Sequence, residues 1–121
     1  MKTLTPKEEE IMTFLWNHGP MFVRQLIELY PEPRPHFNTV STTIRILEEK
    51  GYVSHNQLGN SYQYFAVVSA EEFKRKTLKQ VISKYFNNSY LGAISSLVEE
   101  EEISLDELKA LIQRVEEESK A

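Results

Sequence analysis

Asn38, Ser41, Thr42 and Arg45 recur at three- and four-residue intervals in HFNTVSTTIRILEEKGYV, with Thr39 beside them. At about 100° per residue, this spacing gathers them on one face of a helix. Their shared chemistry is hydrogen bonding to flat, polar partners. An Asn amide pairs bidentately with adenine and an Arg guanidinium with guanine. Ser and Thr hydroxyls bond base edges or phosphate oxygens, and the Thr methyl meets the thymine methyl. The other face carries Val40, Thr43, Ile44 and Leu47, the stripe of a core-facing helix. Surface helices usually expose Glu and Lys, so this one is a candidate reader of nucleic acid. The plainer alternative is that such residues only cap and solvate a helix start. Glu48 and Glu49 would repel phosphates, which centres the expected contact on the first two turns.

A reading face needs elements that hold it. Thr5 is an N-cap candidate, Pro6 suits the first helical position and Glu8 completes a capping box. Ile11, Phe14 and Leu15 follow with Trp16 beside them, and His18-Gly19-Pro20 ends this first helix. A short second helix spans about Val23 to Tyr30, with Val23, Leu26, Ile27 and Tyr30 on one stripe. Pro31, Pro33 and Pro35 then interrupt. The third helix runs from about Asn38 to Lys50 and stops at Gly51. Tyr52 to Gln57 and Ser61 to Val67 read as strands joined by Leu58-Gly59-Asn60, a β-hairpin. Three helices followed by a hairpin is the order of a winged helix-turn-helix, whose third helix enters the major groove while the wing touches the backbone. Asn60 and Ser61, at the wing tip, join Asn38, Thr39, Ser41, Thr42 and Arg45 as candidate DNA-binding residues.

Beyond Val68 the pattern changes. Ser69-x-x-Glu72 and Ser104-x-x-Glu107 are further capping boxes, and Asn87-Asn88-Ser89 is a breaker. The helices between them carry Phe73, Val81, Ile82, Tyr85 and Phe86, then Leu91, Ile94, Leu97 and Val98, then Leu105, Leu108, Leu111, Ile112 and Val115. These are too many apolar side chains for isolated helices to expose. A two-fold partner is the commonest way to cover them. Apart from Phe73 and Leu105, they are the candidate dimerisation residues. The competing arrangement folds them back on their own winged domain. The expected fold is therefore mainly α with a small β-hairpin. Residues 1–68 form the winged helix-turn-helix and residues 69–121 form C-terminal dimerisation helices.

Charge refines this picture. The chain of 121 residues has a formal net charge of −4. Residues 1–68 carry six Lys and Arg against seven Asp and Glu, whereas residues 69–121 carry eight against eleven. A near-neutral reading domain disfavours a bulk nonspecific DNA coater more than a sequence-specific reader. There are no cysteines, which removes disulfides, thiolate metal sites and Cys nucleophiles. His18, His36 and His55 show no metal-binding spacing, Glu99 to Glu102 lacks a calcium-loop scaffold, and no Ser, His and acid set suggests a triad. Neither a metal, a cofactor nor an enzymatic activity is expected. MKTLTPKEEEIM has no apolar h-region and no run approaches a membrane span, so a cytoplasmic protein without membrane insertion is expected. A winged-helix adaptor that binds protein instead of DNA is the alternative function. The acidic balance and a wing tip without Lys or Arg speak for it.

LTPKEEEIMTFLWNHGPMFVRQLIELY, NTVSTTIRILEEKGYVSH, GNSYQYFAVVS and YLGAISSLVEEEEISLDELKALIQRV together resemble the penicillinase-repressor family, the BlaI, MecI and CopY type of winged-helix transcriptional regulators. The resemblance covers nearly the whole chain. It implies a homodimeric repressor on a pseudo-palindromic operator of double-stranded DNA. The family's recognition positions fall on Asn38, Thr39, Ser41 and Thr42, and its wing on Gly59, Asn60 and Ser61. In several members a membrane sensor protease leads to cleavage of the C-terminal part, so a sensor protease or its product is an implied partner. Three departures stand out. The family's Arg before the last core Leu of the third helix is replaced by Ile46, with Arg one place earlier at Arg45. The wing tip is uncharged. The family's Asn-Phe cleavage bond falls on Ser96-Leu97, which argues against cleavage there. Without cysteines, the copper-responsive branch is excluded.

Overall fold

The computed structural model describes residues 2–119. The chain divides into two compact units, the first running through Lys74 and the second beginning at Arg75. The first contains α1 (Pro6–His18), β1 (Met21–Phe22), α2 (Val23–Glu28), α3 (Phe37–Glu49), β2 (Val53–Leu58), β3 (Ser61–Ala66) and the opening turn of α4 (Ala70–Tyr85). This is the expected winged helix-turn-helix. The wing forms as a hairpin: β2 and β3 pair antiparallel from Val53↔Ala66 to Leu58↔Ser61, so Leu58, expected in the turn, belongs to β2, and Gly59 takes φ 64° in the two-residue turn. One strand was not anticipated. Met21 and Phe22 pair with Tyr64 and Gln63, giving a three-stranded sheet of order β1-β3-β2. Two residues are too few to show a strand period in sequence.

The core joins all these elements. Ile11, Met12 and Leu15 of α1 meet Leu26 of α2, Val40, Ile44 and Leu47 of α3, and Tyr52, Val53 and Tyr64 of the wing. The first unit extends beyond the wing because Phe73 lies against it. Its ring centroid is 5.3 Å from that of Trp16 and 6.3 Å from that of Tyr52, while Trp16 Nε1 donates to the Val68 carbonyl at 2.9 Å.

Glu8 has two jobs. In the capping box its Oε1 accepts from the Thr5 amide at 2.7 Å, and Thr5 Oγ1 accepts from the Glu8 amide at 3.3 Å. The buried carboxylate also receives Lys50 Nζ at 2.7 Å, and Lys50 donates to the Thr3 carbonyl at 3.0 Å. The C-cap of α3 is thereby tied to the start of α1. Burial alone would push the Glu8 carboxyl up, but the bonds from Lys50 and Thr5 outweigh it and hold the group below its ordinary range. A carboxyl depressed in the folded state stabilises the fold above the unfolded range and loses that contribution as pH falls. Glu8→Gln is therefore expected to cost about 1–3 kcal/mol at neutral pH, since Lys50 retains some solvent and the Thr3 carbonyl. The gap from wild type should narrow below about pH 5 and close only as pH falls past the lowered folded-state range of Glu8. Denaturant melts of both proteins at pH 7 and pH 4 check this, and a gap that does not change with pH contradicts it.

The second unit holds the rest of α4, then α5 (Tyr90–Glu99) and α6 (Leu105–Ser119). Asn87 and Asn88 take φ 51° and 65°, which ends α4. Ser89 Oγ caps α5 through the Gly92 amide at 3.0 Å, and Ser104 and Glu107 close a reciprocal capping box at α6. Of the described residues here only Ile82 is buried, whereas Val81, Tyr85, Phe86, Leu91, Ile94, Leu97, Leu111, Ile112 and Val115 are exposed and Val98 and Leu108 are half-buried.

Candidate nucleic-acid interface

The helix start decides how to read the polar face of α3. The helix begins at Phe37, one residue earlier than expected from sequence, with His36 as an N-cap that makes no side-chain capping bond. The His36 carbonyl accepts directly from the amides of Thr39 and Val40. Asn38 is thus inside the first turn and is not used as a cap. Asn38, Thr39, Thr42 and Arg45 are exposed and Ser41 is half-buried, opposite the buried Val40, Ile44 and Leu47. Thr43, expected on the core stripe, is half-buried and donates to the Thr39 carbonyl at 2.9 Å. Arg45 Nε donates to the Ser41 carbonyl at 3.3 Å, which lays the guanidinium along the helix face.

The far end of α3 is fixed to the wing. His55 Nδ1 lies 2.5 Å from Glu48 Oε2, and the His55 ring stacks on Tyr62 with centroids 4.2 Å apart. Glu48, expected to repel phosphates, is hydrogen-bonded to this strand residue. Glu49 remains an exposed carboxylate at that end.

Between α2, α3 and the wing runs a groove of about 430 Å3. It brings together Ser41, Asn60 and Ser61 from the expected set. Arg24, Phe37 and Gln57 also line it, and sequence reasoning missed all three. Only the closed fold brings the second helix beside the wing tip, so no local signal marks them. Thr39 faces a second depression of about 240 Å3, with Lys7, Tyr30, Pro33 and Pro35. Burial, with a smaller push from Glu10, raises the Tyr30 hydroxyl to about 12, so it stays neutral there. Among the described residues no group of three or more His, Cys, Asp or Glu is placed to hold a metal ion. No helix among them is long and apolar enough to cross a membrane.

The family model described as penicillinase repressor matches residues 4–117. The chain belongs to the penicillinase repressor family. The match runs through both units, so α3 and the apolar C-terminal helices are parts of one penicillinase-repressor chain. Among similar proteins, the methicillin resistance regulatory protein MecI of Mammaliicoccus sciuri is 27% identical over 109 residues, covering 89% of each chain. The MecI protein of Staphylococcus aureus strain N315 is 26% identical over 111 residues, again covering 89% of each. The penicillinase repressor of Bacillus licheniformis is 21% identical over 115 residues, 94% of this chain and 90% of its own.

Proposed function

We propose that this penicillinase-repressor family member is a cytoplasmic, DNA-binding transcriptional repressor that acts as a homodimer on a pseudo-palindromic operator. The observation that carries the proposal is the exposed face of α3. Asn38, Thr42 and Arg45 occupy one side of a helix whose other side buries Val40, Ile44 and Leu47, and the helix end does not need them as caps. Laid in the major groove, they reach base edges, and Thr39 and Ser41 flank them. The wing, with Asn60 and Ser61 at its tip, lies along the adjoining backbone and contributes amide, hydroxyl and backbone N–H donors. The exposed apolar stripes of α5 and α6 support the homodimer, since a second copy would cover them. The repressor names of the relatives fit this reading. Because Ser96-Leu97 replaces the family's Asn-Phe bond, derepression is proposed to use a signal other than cleavage at that bond.

Competitive titration of an operator duplex against a scrambled duplex tests the placement of α3. Asn38→Ala and Thr42→Ala are each expected to cost about 1–3 kcal/mol of operator binding and to leave scrambled binding unchanged. Equal losses on both duplexes would make them phosphate contacts. No loss on either would remove this face from the interface.

A further inference from the structure

Among the described residues, the groove between α2, α3 and the wing is lined by one positive charge. Arg24, exposed in α2, stands with its guanidinium carbon 5.8 Å from the centre of the Phe37 ring. Among the described residues no carboxylate pairs with it. Two other cations of this unit are engaged elsewhere. Lys50 is bonded to Glu8 and the Thr3 carbonyl, and Arg34 reaches the carbonyls of Tyr30 and Glu28 at 3.4 Å. The wing tip from Leu58 to Ser61 has none. Around Arg24 the groove is lined by neutral polar side chains: Ser41 from α3, and Gln57, Asn60 and Ser61 from the wing.

We propose that Arg24 is a phosphate-binding residue, and that this groove seats one sugar-phosphate strand of the duplex read by α3. The proposal rests on the DNA-binding reading given above and adds to it the cation that the wing lacks. A backbone crossing from the recognition helix to the wing passes over this groove, which is continuous with the α3 face through Ser41. A guanidinium grips a phosphate through paired N–H donors, and the neutral amides and hydroxyls beside it bond further oxygens without adding charge. Phe37 is a positioning residue. Its ring face holds the guanidinium beside the groove and limits the conformations the long side chain must give up on binding.

The test is a salt series with wild type, Arg24→Gln and Phe37→Leu against two labelled duplexes, one from just upstream of the protein's own gene and one scrambled. Both replaced side chains are exposed, and a thermal melt of each variant checks that the fold is kept. Arg24→Gln is expected to weaken both duplexes about equally, by roughly tenfold at low salt, and to flatten the plot of log affinity against log salt by about 1 per chain. Phe37→Leu is expected to weaken binding by a smaller factor and keep the wild-type slope, because it removes no charge. Wild type that prefers the upstream duplex, together with an Arg24→Gln slope equal to wild type, overturns the assignment and leaves the DNA-binding reading standing. A loss confined to the upstream duplex also overturns it, making Arg24 a base contact. Wild type that binds neither duplex removes the underlying reading and Arg24's role with it.

Discussion

Leu97→Asp and Ile112→Asp are each expected to convert the protein to a monomer and to weaken operator binding by about 10²–10⁴-fold, the range that loss of linked binding spans. Both side chains are about half exposed in the single chain, on stripes that continue through Ile94 and Val98 in α5 and through Leu108, Leu111 and Val115 in α6. Leu91 is 80% exposed. Water disfavours such a surface, and covering one large aliphatic side chain contributes roughly 1.5–3 kcal/mol. A carboxylate at the centre of a covered stripe loses that gain and must also be desolvated. In the proposed dimer, affinity falls because two weakly charged DNA-binding domains depend on each other. Once one is seated, the second binds at high effective concentration. Sedimentation velocity and operator titration on the same samples measure the two effects together. Variants that remain dimers would place the interface elsewhere. Monomers that bind the operator as tightly as wild type would break the proposed link between pairing and binding.

The second large effect lies beneath the reading face. Ile44 and Leu47 are fully buried in the core, on the side of α3 opposite Asn38 and Thr42. Ile44→Ala or Leu47→Ala is expected to cost about 2–5 kcal/mol, the lost transfer energy plus the cavity left behind. That is a large share of the 5–15 kcal/mol that typically holds a domain together. Asn38→Ala, on the exposed face of the same helix, should leave stability within about 0.5 kcal/mol of wild type. Urea midpoints of the three variants separate the roles. Equal midpoints would mean that α3 is not held by its inner stripe.

The parts of this structure that were legible in sequence are those decided within a turn or two of chain. The Thr5 and Glu8 capping box, the Ser104 and Glu107 box and the Asn87-Asn88 break each rest on residues at most three apart, and all form as expected; the turn at Gly59 forms one residue shorter than expected. Gly51, read as the stop of the third helix, takes φ 86° just after its C-cap. What stayed hidden depends on closure of the chain. Glu8 meets Lys50 across 42 residues, and nothing local says that a capping glutamate will also carry an ion pair. The bond between Glu48 and His55 was equally hidden, because His55 lies on a strand whose direction only the hairpin sets. Arg24 carries no local signal, because only the closed fold places it beside the wing. α3 starts one residue earlier than expected, with His36 as its N-cap, whose carbonyl accepts from the Thr39 and Val40 amides. That small shift strengthens the functional reading, because it releases Asn38 from a structural duty.

The most direct measurement is fluorescence anisotropy of the purified protein against labelled duplex from just upstream of its own gene, with a scrambled duplex of equal length as control, at two salt concentrations. A sequence-specific dimeric repressor binds the upstream duplex preferentially, saturates at two chains per duplex and weakens as salt rises. Equal, weak binding to both duplexes at both salt concentrations would contradict that function and leave the winged helix as a surface for a protein partner.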